Sequence, residues 1–333
     1  PFDPRSLDAV LLTHAHIDHS GALPLLMRHG FKGPVWTTAA SADLCEILLM
    51  DTAHLQEEEA RYRNRHKATR HEPAEPLYTV RDAQLCLSHL KRVPQGGAID
   101  LGDDVQVRFT RAGHILGASS VHIAHRGKSV LFSGDLGRDD DLVMYPPETG
   151  QKADWVVVES TYGDRLHSDL DPMDKLGDII RRTAARGGVV LIPAFAVGRS
   201  QGLMYALYRL RQAGAIPDMP IVLDSPMAIS ATEVYDRHHE EHRLTADEVQ
   251  GIRDMTRFVR TVDESKALLK QRYPMVIIAG SGMVTGGRIL HHLAYYGQHS
   301  RNTVVLSGFQ AGGTRGASLA AGAKSLMMFG EYV

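Results

Sequence analysis

Cysteine, long apolar runs and net charge are all scarce in this sequence, and each shortage removes a class of protein. Cys45 and Cys86 are the only cysteines in 333 residues; they sit in separate helix-like segments without CxxC spacing. This argues against a disulfide framework and a cysteine-based zinc site, and a reducing, cytoplasmic setting is expected. No apolar stretch approaches a membrane span of about 20 residues, and the opening residues carry no signal-peptide pattern. No membrane partner is expected. A formal charge of -2 gives no global basic field to attract nucleic acid, so any phosphate binding must be local. The chain also starts at Pro1 without a methionine, just ahead of a strand that needs neighbours, and so reads as a piece of a longer polypeptide. With 43% hydrophobic and 23% charged residues it is globular and long enough for two domains.

What is present is concentrated in Thr13-His14-Ala15-His16-Ile17-Asp18-His19, directly after the apolar run Ala9–Leu12. Such a run reads as a short buried strand, which places the histidines where a strand gives way to a loop. Imidazole and carboxylate suit zinc, and three histidines with one aspartate can approach a metal from several sides. In extended backbone His14 and His16 share one side while Asp18 and His19 come later in the turn, so the loop can serve two metal centres; a single-metal site is the alternative.

Two later turns repeat the pattern of a strand delivering a ligand-type residue. Val105–Phe109 leads to Gly113-His114, where glycines at 113 and 117 let the backbone turn tightly, and His114 reads as a ligand. A hairpin of Ser120–Ala124 and Ser129–Phe132 leads to Ser133-Gly134-Asp135-Leu136-Gly137, with the Asp135 carboxylate aimed into a site rather than serving as a turn residue. Trp155–Val158 reads as another buried strand, ending at Glu159 and an acidic turn to Arg165. The charged stretch from Glu57 to Arg65 reads as an exposed helix end or a mobile lid, and the basic run Arg61 to Lys67 as a solvated helix face rather than a polyanion site.

Beyond Arg165 helices and short apolar strands alternate: strands at Gly188–Phe195, Ile221–Pro226 and Pro274–Met283, helices at 176–185, 202–211, 227–239 and 288–295. This is the pattern of a doubly wound α/β domain. The glycines at 280, 282, 286 and 287 miss the dinucleotide fingerprint, and no nicotinamide cofactor is expected. Backbone N–H groups at such turns suit phosphates, which makes Arg199, Ser200 and Ser281 candidate substrate contacts; tight strand-to-helix packing explains each of them as well. The pairs His238-His239 and His291-His292 read as surface histidines, and Asn302–Phe309 as a strand returning to the first domain.

The ordered motifs at His14–His19, Gly113-His114 and Ser133–Asp135 resemble the metallo-β-lactamase fold, and the Glu159–Gly163 segment, together with the α/β region beyond it, resembles its β-CASP branch of nucleic-acid-processing nucleases. The likeness extends to bacterial and archaeal relatives of the endonuclease subunit that cuts messenger RNA precursors before polyadenylation. It implies an αββα sandwich, incomplete at both ends here, with an inserted doubly wound cap: first domain 1–166, cap 167–300 and a return segment 301–333. It further implies two zinc ions, one held by His14, His16 and His114, the other by Asp18 and His19, with Asp135 bridging. The implied reaction is hydrolysis of RNA phosphodiester bonds by a metal-bridged hydroxide, with Asp18 and Asp135 catalytic and Glu159 orienting a histidine near the leaving group. Single-stranded RNA is the expected partner, with DNA and a homo-oligomer left open. The family's upstream aspartate and two carboxyl-terminal histidines are not seen in this sequence, which reads as truncation rather than as a weakly held second metal. Two other classes remain: a non-catalytic RNA-binding scaffold, which would show eroded ligands, and a small-substrate metallohydrolase, which would not need the long insertion.

Overall fold

A computed structural model describes residues 2–164, 166 and 171–333. The chain divides into two compact units, Pro1–Asp164 with Arg237–His242, and Arg165–Asp236 with Arg243–Val333. The expected domain boundary after residue 166 and the end of the acidic turn at Arg165 border or fall on residues outside this description.

The first unit opens with β1 (Val10–Leu11), α1 (Ile17–Ser20), α2 (Leu23–Arg28), β2 (Val35–Thr38), α3 (Ala39–His66), α4 (Val80–Ser88) and β3 (Leu90–Val93). The three strands pair in parallel in that order. Parallel neighbours need crossovers, and α1, α2, α3 and α4 supply them. Thr38 ends β2 and caps α3 by accepting from the Ser41 N–H, so strand and helix meet without a loop. The helix ends at Lys67 in a left-handed conformation with its basic last turn exposed, the solvated end that its charge pattern suggests.

A second sheet is built from β4 (Ala98–Asp100), β5 (Val105–Arg111), β6 (Ser119–His125), β7 (Lys128–Phe132) and β8 (Trp155–Val157). The expected β6–β7 hairpin is present, turning on Arg126 and Gly127, both with positive φ, the geometry that matches strand twist. Val93, Val107, Phe109 and Val121 are buried together, with Leu11, Trp36 and Ile123 packed against them, so the core lies between the two sheets. Two expectations change. β1 is half-buried rather than buried, with only the next residue, Leu12, fully inside. β8, expected inside, pairs with β7 at the edge of the sheet formed by the described residues, and each residue from Trp155 to Val158 is more than half exposed. An apolar run reports what could be buried; an edge position decides whether it is.

The second unit contains α5 (Pro172–Ala185), β9 (Val189–Pro193), α6 (Arg199–Gln212), β10 (Ile221–Asp224), most of α7 (Pro226–Arg237), α8 (Ala246–Met255), β11 (Thr256–Phe258), α9 (Val262–Leu268), β12 (Met275–Ala279), α10 (Arg288–Tyr296), β13 (Thr303–Val304), α11 (Arg315–Ala320) and the hairpin β14 (Met327–Met328) and β15 (Glu331–Tyr332). Its main sheet runs β11-β10-β12-β9-β13, all parallel. β9, β10 and β12 are buried at every residue, as strands covered on both faces must be. The strand expected to return to the first domain does not: Thr303 and Val304 pair with Val190 and Leu191 and form an edge of this sheet.

Candidate metal centre

The site gathers at the end of β1. Leu12 is buried and its N–H donates to the Trp36 carbonyl, so the next residues leave the sheet in a fixed direction. His14 is fully buried, Ala15 packs without surface behind it, and α1 begins immediately after His16, which puts Asp18 and His19 in its single turn. The Ser20 hydroxyl closes that turn on the Ala15 carbonyl at 2.8 Å.

The loop after β5 and the loop after β7 complete the cluster. A Cβ at Gly137 would collide with the Gly113 carbonyl, and the Gly137 N–H donates to the Ala112 carbonyl, so the His114 and Asp135 loops lie directly against each other. The Ser119 N–H binds the Thr13 carbonyl at 2.9 Å, tying the first loop to the same edge.

Around Asp135 the histidines converge. His14 Nε2 lies 3.7 Å and His114 Nε2 3.4 Å from Asp135 Oδ2, and His19 Nε2 lies 3.2 Å from Oδ1. His114 Nε2 is 3.2 Å from His16 Nδ1. One ligand atom from each of His14, His16, His114 and Asp135 falls within 4.8 Å of the others. Asp18 stands at the rim, largely exposed, 3.6 Å from His19 Nε2.

The charge states are set by these neighbours. Burial, then the imidazoles of His16, His19 and His114, hold His14 down to about 2 against the pull of Asp135, so its ring is neutral. A hydrogen bond with His19, outweighing burial, brings Asp135 down to about 2, and it is an anion. The same hydrogen bond raises His19 above its ordinary value. Neutral imidazole and ionised carboxylate are the forms that bind a metal. The Nε2 of His14 is buried without a hydrogen-bond partner, which costs free energy unless a group from outside the protein meets it. The donor set fits zinc or a similar divalent ion.

Glu159 sits beside the cluster rather than in it. Its carboxylate accepts the Leu136 N–H at 3.2 Å and the Thr161 N–H at 3.0 Å, while its own N–H binds the Ser133 hydroxyl. Burial pushes this carboxyl up, but the bonds from Thr161 and Leu136 outweigh it and leave the value below the ordinary range. Glu159 thus pins the turn that carries Asp135.

In the second unit the three candidate phosphate contacts part company. Arg199 is exposed at the first turn of α6. Ser281 is partly exposed and its hydroxyl accepts from the Thr285 and Gly286 N–H groups. Ser200 is buried and its hydroxyl donates to the Phe195 carbonyl at 2.7 Å. The paired histidines also split. His239 and His291 are exposed as expected, whereas His292 is buried with Nε2 2.6 Å from Asp224, and His238 is largely buried against Asp43. Adjacent helical residues point about 100° apart, so a pair straddles the boundary between face and core. Gly137 is legible in the sequence only as part of its turn; its spacing two residues after Asp135 is the signal for the close approach.

Comparisons with known proteins bear on the whole chain. The Metallo-beta-lactamase superfamily model matches residues 1–175 and the Beta-Casp domain model residues 200–319. Ribonuclease TTHA0252 of Thermus thermophilus is 37% identical over 100% of this chain and 74% of its own length. Transcription termination factor FttA of Methanosarcina mazei is 31% identical over 99% of this chain, which spans 52% of that protein. The RNase J-like protein of Methanocaldococcus jannaschii is 30% identical, over 98% of this chain and 72% of its own length.

Proposed function

Given that the chain belongs to the metallo-beta-lactamase superfamily and carries a Beta-Casp domain, we propose that it is a metal-dependent hydrolase of RNA phosphodiester bonds. The observation that carries this reading is the convergence of His14, His16, His114 and Asp135, with a buried imidazole nitrogen of His14 that has no hydrogen-bond partner. His14, His16 and His114 would hold one zinc, Asp18 and His19 a second, and Asp135 would lie between them. Such ions, when bound, supply a water of pKa about 7 and positive charge for the phosphoryl oxygens.

The chain's own residues set the conditions for this chemistry. Burial keeps His14 unprotonated down to about 2, so acid does not compete for that ring near neutrality. Asp135 brings negative charge to the cluster, and its carboxylate accepts a hydrogen bond from His19 Nε2. Glu159 fixes the Asp135 turn through the Leu136 N–H. Arg199 offers an exposed guanidinium for a phosphate contact, and Ser281 lies in a turn rich in backbone N–H groups. RNA is favoured over small substrates because the similar proteins are named as a ribonuclease and as RNase J-like. No helix among the described residues is long and apolar enough to cross a membrane.

The test is cleavage of a 5′-labelled, unstructured RNA with added zinc, beside the Asp18→Asn variant and a DNA strand of the same sequence. Zinc-dependent products that fall by about 100-fold or more in the variant are expected. A product ladder would separate internal from terminal cutting. Absence of cleavage by the unmodified chain, in zinc or manganese, would overturn the reading for these 333 residues.

A further inference from the structure

Six residues, Arg237–His242, belong to the first unit although the chain on either side belongs to the second. They form the end of α7 and the short turn His239–Glu241. Glu241 is largely buried, and its Oε2 accepts the Gly117 N–H at 3.0 Å across 124 residues of sequence. Gly117 closes the loop that begins at Gly113 and carries His114. Its carbonyl accepts the Thr38 hydroxyl at 2.7 Å, and its positive φ and the nearness of Ser41 leave no room for a side chain. The peptide groups at Gly117 are therefore gripped from both sides, by Thr38 at the cap of α3 and by Glu241.

Glu241 is itself held. His238 Nδ1 lies 3.9 Å from its Oε1, and His238 Nε2 is 2.8 Å from Asp43 Oδ2. Asp43 in turn binds Arg92 at 2.6 Å, with Arg237 at 3.8 Å. Burial pushes the Glu241 carboxyl above its ordinary range, a cost only partly offset by His238 and the Gly117 N–H. A partly buried acid that costs free energy and ends on one backbone N–H of a ligand loop is poorly explained as packing alone. His238, Glu240 and Glu241 also come close enough to share an ion, but Glu240 is exposed and turned to His239, while the other two already have partners.

We infer that Glu241 is a positioning residue for the metal centre: by binding the Gly117 N–H it fixes the His114 loop in the geometry that ligation requires. The inference rests on the proposed metal binding by His14, His16, His114 and Asp135. Outer hydrogen-bond partners of metal ligands are worth about 10–100-fold in metal affinity, and this one acts through the loop backbone.

Zinc affinity is measured by competition with a chromophoric chelator in the unmodified chain, Glu241→Met, Glu241→Gln and the neighbouring Glu240→Gln. Exchange of the Gly117 amide hydrogen is measured in the same proteins without metal. Methionine keeps the volume and loses the acceptor; glutamine keeps both. Glu241→Met should bind zinc about 10–100-fold more weakly and exchange Gly117 faster, while Glu241→Gln and Glu240→Gln stay close to the unmodified chain. Equal affinity and equal exchange in Glu241→Met, or the same loss in Glu241→Gln, would overturn the inference. So would rapid Gly117 exchange in the unmodified chain, a measurement that needs no variant to fold. Failure of the unmodified chain to bind zinc would strike the metal reading instead, and the exchange data would still decide the role of Glu241.

Discussion

Two polar clusters among the described residues, each beside the end of a parallel strand, are built in opposite ways. In the second unit Asp224 ends β10 with no exposed surface and receives Ser265 Oγ at 2.5 Å, Arg288 Nη1 at 2.5 Å and His292 Nε2 at 2.6 Å. Its charge is met by a guanidinium, which also binds the Val259 and Arg260 carbonyls. One atom, His292 Nδ1, is left over, and His292 joins no group of three ligand atoms among the described residues. In the first unit one carboxylate faces several imidazoles, no guanidinium or ammonium is paired with Asp135 among the described residues, and the unpartnered nitrogen points into the group. A cluster whose charges are answered by protein is structure; one that converges with its demands unmet is a binding site.

Removing one carboxylate from each cluster should separate the two roles, and this is the largest effect expected. Asp224→Ala leaves a buried histidine and a partly buried arginine without their anion and should cost about 3–5 kcal/mol of stability. Asp135→Asn should lower zinc affinity and RNA cleavage by more than about 100-fold, with a smaller change in melting temperature. Urea unfolding and chelator competition on both variants give the answer. The pH dependence should differ as well. Burial raises the Asp224 carboxyl, but bonds from His292, Ser265 and Arg288 outweigh it, so its folded value lies below 3.8. Its contribution is complete above that unfolded value and is lost as pH falls through the folded one, a slope that Asp224→Ala should abolish. If Asp224→Ala spares stability and loses zinc, the contrast fails.

How much of this is legible in the sequence divides along the same line. His14, His16, Asp18 and His19 announce themselves because they are close in sequence, and His114 and Asp135 because glycines flank them at strand ends. Local spacing determines such turns. The Asp224 cluster carries no such mark, and His292 reads in sequence as a surface residue, since the partners of Asp224 lie 41 to 68 residues away and burial is set by what packs above a helix face. The burial of Ser200 and the exposure of Trp155–Val158 escape the sequence for the same reason. Glu241 leaves no local signal at all; only the folded chain brings it to Gly117.

Both clusters lie beside glycine turns, but the glycines differ in the room they leave. At Gly137 a methyl group would force apart the loops of His114 and Asp135, so Gly137→Ala should weaken zinc binding by about 10-fold or more. Gly286, in the turn before α10, has nothing within 4 Å of the corresponding position, and Gly286→Ala should leave zinc affinity unchanged. Equal effects would mean that loop contact is not what aligns the ligands.

The smallest effect concerns charge placed for a partner rather than for the fold. Arg199 is exposed and begins α6, where a guanidinium and a helix N-terminus both favour phosphate. If it touches one phosphate of the RNA, Arg199→Ala should weaken binding across sequences alike and reduce the slope of log affinity against log salt by about 1. Zinc content and unfolding midpoint should not move, because the side chain supports neither cluster. RNA binding measured at several salt concentrations reads the slope directly. An unchanged slope would return Arg199 to the class of solvated surface charges.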